Sequence, residues 1–170
     1  MTVTGGPDGR MDAMSSPSRS IRIRPARSPD LPELLAMMGA FSRADRVPWR
    51  PQRALPALRR LLREPRLGRV LVAEARASGD LHGYAVGTFG YDLEFAGPDA
   101  FVTEIFVRPQ HRGAGEGRRL LEAITAAMRR GGASAIHLAV RPANRVARRL
   151  YAAAGFQPIP RLVLSKRLAR

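Results

Sequence analysis

The sequence predicts a mixed α/β fold, and three observations carry that reading. Two alternating apolar segments joined by a short turn make an antiparallel pair. Downstream, strand, glycine loop, helix and strand follow in order, which makes a parallel pair. Amphipathic helical patterns precede the first pair and follow the last strand. At 170 residues the chain is sized for one domain with a real core.

Met1 to Arg19 contains Gly, Pro, Ser and Asp without an apolar core segment. It reads as a disordered lead with no secretory signal, and the domain is expected over residues 20–170. Ile21-Arg22-Ile23-Arg24 alternates as a first strand. Ser28-Pro29-Asp30 opens a helix, with Ser28 as N-cap and Leu31, Leu34, Leu35 and Met38 as its apolar stripe. Arg43 to Pro51 is a loop containing Trp49, and a second helix runs from Pro51 to Arg63. Arg69 to Ala75 and Leu81 to Tyr91 are strands joined by the turn Ala77-Ser78-Gly79-Asp80. Phe101 to Val107, a helix from Gly115 to Arg130 and Ala135 to Val140 form the βαβ unit, with Gly131-Gly132 ending the helix. A last helix starts at Asn144 and closes at Gly155, and Phe156 to Leu168 can add one or two strands.

Charge excludes less than it suggests. The net charge of +15 points toward nucleic acid, yet every cationic residue but Lys166 is Arg, and Ala, Gly and Pro abound. That is the profile of a GC-rich coding sequence. The arginines are scattered, with none of the aromatic interleaving of single-strand binders, so no specific nucleic-acid partner is expected. No apolar run approaches the roughly 20 residues that span a membrane, so no membrane partner is expected. Cysteine is absent, which excludes disulfides, cysteine–metal sites and a cysteine acyl-enzyme. A cytoplasmic location is expected.

The chemistry concentrates in Phe101 to Glu122, FVTEIFVRPQHRGAGEGRRLLE. Glycines let a backbone approach a ligand closely, and the first N–H groups of a helix have no internal partners. Together they suit a phosphate or pyrophosphate. A P-loop needs GxxxxGK[ST], but Arg118-Arg119 follows Gly117. A dinucleotide fingerprint needs a third glycine where Arg118 stands. RxxGxG remains, met by Arg112, Gly115 and Gly117.

Here the chain resembles the GNAT acetyltransferase superfamily, whose loop of this kind cradles the pyrophosphate of acetyl-CoA. A second motif of that family, L-x-V-x-x-x-N-x-x-A-x-x-L-Y-x-x-x-G-F, is matched at Leu138, Val140, Asn144, Ala147, Leu150, Tyr151, Gly155 and Phe156. The resemblance covers Ile21 to Leu168. It implies a mostly antiparallel sheet of six or seven strands, with a splayed parallel pair at the centre and helices on both faces. It also implies acetyl-CoA as co-substrate without a metal, and a homodimer paired through terminal strands.

The resemblance places the donor on Arg112, Gly113, Ala114, Gly115, Glu116, Gly117 and Arg118, with backbone groups of Ile105, Phe106 and Val107 along its arm. The N–H of Val107 is the expected oxyanion donor. Asn144 either caps its helix or bonds to pantetheine. Tyr151 is the expected acid for the CoA thiolate, against a plain core role. Alternation in FVTEIFV sets Phe101, Thr103, Ile105 and Val107 on one face and Val102, Glu104 and Phe106 on the other. A carboxylate between apolar neighbours needs a function or a partner. Glu104 is therefore a base acting through water, a ligand for the acceptor amine, or an ion pair with an arginine. An alkylammonium has a pKa near ~10.4 and must lose a proton before it attacks.

Glu116 departs from the family, which carries an apolar residue there. Beside a pyrophosphate it would repel the ligand unless Arg112, Arg118 or Arg119 neutralised it. Asp92, Glu94, Asp99 and Glu104 cluster in YDLEFAGPDAFVTE, an acidic mouth that favours a small cationic amine or a peptide amine as acceptor. His82, His111 and His137 stand singly, without metal-ligand spacing. The leading expectation is direct N-acetyl transfer. The alternative is a non-catalytic acyl-CoA-binding sensor, which would need only the loop.

Overall fold

The computed structural model describes residues 20–166 and Leu168. The expected disordered lead lies outside the described residues. Five strands form one sheet in the order β1 (Ile21–Pro25), β2 (Gly68–Ala75), β3 (Leu81–Asp92), β4 (Gly97–Val107) and β5 (Ala135–Leu138). All neighbours are antiparallel except β4 and β5. Helices α1 (Leu31–Ala44) and α2 (Pro51–Arg63) cover one face, and α3 (Glu116–Arg130) covers the other. Helix α4 (Arg145–Ala153) adds Leu150 and Tyr151 to the α3 side.

Each layer follows from its apolar pattern. On α3, Leu120, Leu121, Ile124, Ala127 and Met128 fall on one helical stripe, and they pack on Leu71, Ala73, Ala85, Ala100 and Val102. Leu34, Met37 and Met38 of α1 pack on Val70, Val72, Tyr84, Val86 and Phe106 from the opposite side. Burial of each Leu, Ile, Val, Met or Phe side chain among these contributes about 1.5–3 kcal/mol. Helix α1 starts later than expected. Ser28–Asp30 is a 3-10 turn, and Ser28 makes no cap bond; Asp30 instead accepts the Arg27 N–H at 2.6 Å.

Strict alternation along β4 is overturned. Val86 of β3 stands opposite Glu104 and Gly87 opposite Val102, so Thr103 is an extra residue in a β-bulge. The bulge flips the side-chain order. Val102, Ile105 and Val107 share the α3 side, while Phe106 lies with α1 and α2. Beyond the bulge β4 also loses β5, whose pairing runs only from Asp99↔Ala135 to Val102↔Leu138.

Two further expectations change. Among the described residues there are five strands, not six or seven, and β5 is an edge strand, so the parallel pair is not central. Residues 157–166 form no strand. Pro158 and Pro160 remove two ladder donors, and Ile159, Leu162, Val163 and Leu164 stay exposed. No helix among the described residues is long and apolar enough to cross a membrane.

An ionic clasp ties β1 to β2 and to the start of α1. Arg24 donates to Asp30 at 2.7 and 2.9 Å and to Glu74 at 2.8 Å, and Arg22 also pairs with Glu74. Hydrogen bonds from Arg24 and Arg22 hold the Glu74 carboxyl down at about 2 from its ordinary 4.5. A depressed carboxylate stabilises the fold above its unfolded value and loses that contribution as pH falls. The Tm gap between wild type and Glu74→Gln should therefore narrow as pH drops from 4.5 to about 2. A gap independent of pH in acid unfolding scans would show that the clasp is not ionic.

Candidate active site

The parting of β4 from β5 leaves a cavity of about 250 Å³, lined by Val102, Thr103, Glu104 and Ile105 on one side and Ala139, Val140, Arg141, Asn144 and Tyr151 on the other. Phe41 and Asp45, from the end of α1 and just past it, close a third side. Backbone groups on the edge of β4 that β5 no longer covers face this opening. A larger depression of about 440 Å³ lies between α3 and β1–β2, but alanines and Arg24, Arg69 and Arg130 dominate it, and it holds no motif residue.

Glu104 lines the opening and accepts a 2.6 Å hydrogen bond from the Tyr84 hydroxyl. Burial pushes its carboxyl above the ordinary range, and the Tyr84 bond partly opposes that by favouring the charged form. Tyr84 is 0 % exposed, and burial beside Glu104 raises its phenol strongly, so it stays a donor. No arginine pairs with Glu104 among the described residues; its partner is a neutral phenol. The ion-pair alternative therefore finds no partner here.

Tyr151 stands on α4, half-buried, with its ring 6.0 Å from that of Phe156. Burial raises its phenol. Asn144 caps α4, its Oδ1 accepting the Ala147 N–H at 3.1 Å, and it also lines the opening. Capping and ligand contact are thus compatible at one residue. Asp45 lies 3.8 Å from Arg141, a pairing that reaches from the end of α1 to the segment after β5.

Immediately after β4, a 3-10 turn at Pro109–His111 leads into the glycine loop. Arg112 donates from Nε to the Val107 carbonyl at 2.9 Å and lies over the Phe106 ring, which fixes the loop to the strand end. Gly113 and Gly115 have φ of 86° and 80°, left-handed values that exclude ordinary side chains. Gly115 is the N-cap of α3, and it makes no side-chain cap bond. The N–H groups of Gly113 to Arg118 take no partner among the described residues. These six N–H groups lie in the glycine loop that the sequence motif singles out.

Several predicted residues lie elsewhere. Asp92, Glu94 and Asp99 do not line the opening. They sit at the hairpin end of β3 and β4, and the extended chain from Asp99 to Glu104 spans roughly 16 Å. Arg161 grips Glu94 with two bonds of 2.6 and 3.1 Å, Asp92 accepts the Glu94 N–H, and Asp99 lies 3.7 Å from His137. The acidic mouth is thus a separate hairpin cluster, and Asp45 is the carboxylate that joins Glu104 at the opening. Arg118 pairs with Glu122 at 2.7 Å on the surface. Val107 and Phe106 lie past the residues that line the opening, with the Phe106 side chain in the α1–α2 core.

Glu116 also differs from expectation. Its side chain is buried, 7 % exposed, with Oε1 2.9 Å from His82 Nδ1. None of Arg112, Arg118 and Arg119 neutralises it. Its Oε2 is buried without a partner, a deficit of about 1–3 kcal/mol or more for a charged group. His82 and His111, read as singles, stack at 3.5 Å. Sequence reasoning missed Tyr84, Asp45 and the His82–Glu116 pair. Only the inward phase of Tyr84 in the alternating strand gave any signal.

A match to the acetyltransferase (GNAT) family spans residues 34–156. The chain belongs to that family. It is therefore an acyltransferase of the kind that takes acetyl-CoA as donor. Among solved structures, integron cassette protein HFX_CASS3 from the mobile metagenome of Cole Harbour Salt Marsh is 29 % identical, with a TM-score of 0.74 over 87 % of this chain and 91 % of that one. Aminoglycoside N-acetyltransferase AAC(6')-Iy, in complex with CoA, shares the fold at 18 % identity and TM-score 0.75, over 88 % of this chain and 95 % of that one. The 6'-N-acetyltransferase AAC(6')-Ih of Acinetobacter baumannii does so at 20 % identity and 0.69, over 88 % and 99 %. No curated protein matches the sequence.

The last glycine of the loop separates fold from ligand in this acetyltransferase. A Cβ on Gly117 would meet Leu150 and Val107 at 3.8 Å, an ordinary contact. Gly117→Ala should therefore keep the wild-type Tm within a degree or two while weakening acetyl-CoA binding about tenfold or more, read by calorimetry. Unchanged affinity in a folded variant would mean that the donor does not approach this backbone.

Proposed function

We propose that the enzyme transfers the acetyl group of acetyl-CoA directly to the primary amine of a small cationic acceptor, or to a peptide amine. One observation carries the reading: Glu104 and Tyr151 line one opening, and β4, which forms one wall of it, runs on into the glycine loop at the start of α3. The donor's diphosphate lies on the N–H groups of Gly113 to Arg118, and its arm runs along the uncovered edge of β4 toward Asn144.

The acceptor enters as an ammonium, drawn by Asp45 and Glu104. Glu104 takes its proton through a water molecule. A carboxyl raised by burial suits this role, because its basicity moves toward working pH. The neutral nitrogen attacks the thioester carbon, and the oxyanion is met by a backbone N–H near the end of β4. Collapse breaks the C–S bond, and the Tyr151 hydroxyl protonates the thiolate. A phenol raised by burial keeps its proton until that moment. With no cysteine in the chain, a cysteine-bound acetyl intermediate has no residue to form on.

Amine-rich cations such as aminoglycosides and polyamines are the acceptor class that best suits two carboxylates at the opening. Two fold neighbours are named as aminoglycoside N-acetyltransferases, which supports including those compounds. A sensor without turnover leaves Glu104, Tyr84 and Tyr151 without purpose.

Thiol release from acetyl-CoA should be followed with polyamines, aminoglycosides, amino acids and basic peptides. Tyr151→Phe should lower kcat about 10²–10⁴-fold with donor affinity preserved. The rate should rise with pH as Glu104 loses its proton. Tyr84→Phe removes a bond that favours the charged carboxylate, so this limb should move to higher pH. Donor binding without turnover on any amine, or an unchanged kcat in Tyr151→Phe, would favour the sensor.

A further inference from the structure

We infer that His82, His111 and Glu116 form a binding site for a divalent metal ion, with zinc the ion best matched to the ligands. The three residues come from β3, from the turn before the glycine loop, and from the first position of α3. Each offers one ligand atom, and these atoms all lie within 4.8 Å of one another. Two imidazoles and one carboxylate are a donor set that zinc takes up, leaving a fourth position for water.

The decisive feature is the carboxylate of Glu116. It is 7 % exposed, one oxygen meets His82 at 2.9 Å, and the other is buried without a partner. A buried carboxylate aimed into a cluster with one oxygen unmet calls for a further cation or donor. No arginine fills that role, since Arg112 reaches Val107 and Arg118 reaches Glu122. The His111 imidazole makes no hydrogen bond among the described residues; only its 3.5 Å stack on His82, with planes 4° apart, orients the ring. Parallel rings cannot both aim lone pairs at one ion. The His111 ring, on a half-exposed surface turn, must hinge away from the stack, and that hinge also gives the ion its entry path.

Position gives the site a consequence. His111 and Glu116 bracket Arg112 to Gly115, so an ion held by both would fasten the two ends of the donor loop to β3 through His82. That link to the donor rests on the loop's role proposed above; metal binding itself does not.

The test uses the full chain, stripped of metal with a chelator and titrated with zinc alone in calorimetry near pH 7.5. One zinc per chain should bind. Affinity should fall at least tenfold in Glu116→Gln, His82→Asn and His111→Asn, and stay at the wild-type value in His137→Asn. Long-range ¹H–¹⁵N spectra should show the imidazole nitrogens of His82 and His111 shifting on zinc addition while those of His137 stay fixed. Tm scans identify any variant that does not fold, and the spectra of the wild-type chain decide the matter without variants. Absence of saturable binding, or binding that persists in a folded Glu116→Gln chain with His82 and His111 unshifted, would overturn the proposal. Neither readout involves acetyl transfer, so failure here leaves the acceptor reading untouched.

Discussion

The site exists because β4 and β5 stop pairing after Val102 and Leu138. Two local causes coincide there. Thr103 is the extra residue of a bulge, which kinks β4 and reverses the facing of the residues beyond it. On the other side β5 ends at Leu138, and Pro142 lies a few residues on, so the chain has turned toward α4 before it could continue the ladder. The result is a strand edge whose backbone groups face an opening of about 250 Å³.

Everything with chemical potential is arranged around that gap. The bulge puts Glu104 against Tyr84 rather than in the α3 core, and α4 delivers Asn144 and Tyr151 from the other wall. The end of β4 feeds the glycine loop through Arg112, which grips Val107 and covers Phe106. Electrostatics run against the bulk. A protein of net charge +15 places two carboxylates, Glu104 and Asp45, at its opening, with Arg141 beside Asp45.

The motif residues were legible because their work is local. Gly113 and Gly115 adopt left-handed backbone whatever surrounds them, and Asn144 caps the helix that begins one residue later. Element order and the parallel pair followed from local patterning for the same reason, while helical cover on both faces came from the family resemblance. Long-range facts were hidden. A one-residue bulge at Thr103 leaves no mark in an apolar strand, yet it moves Val102 to the opposite face from Phe106. His82 and Glu116 are 34 positions apart, so their pairing depends on the sheet. Asp92, Glu94 and Asp99 looked close to Glu104 only because sequence distance was read as spatial distance, and an extended strand maximises the difference. The expected final strands failed on Pro158 and Pro160, whose cost to a ladder outweighs the apolar run beyond them.

The central claim is that unpaired amides from Gly113 to Arg118 hold the donor while its acetyl end reaches the gap between β4 and β5. Backbone ¹H–¹⁵N spectra of the isotope-labelled chain, titrated with a non-hydrolysable acetyl-CoA analogue, test this most directly. Saturable downfield shifts of those loop amides are expected, together with changes at Thr103 to Ile105 and Asn144. Shifts confined to surface arginines, with loop amides unmoved at saturation, would contradict it.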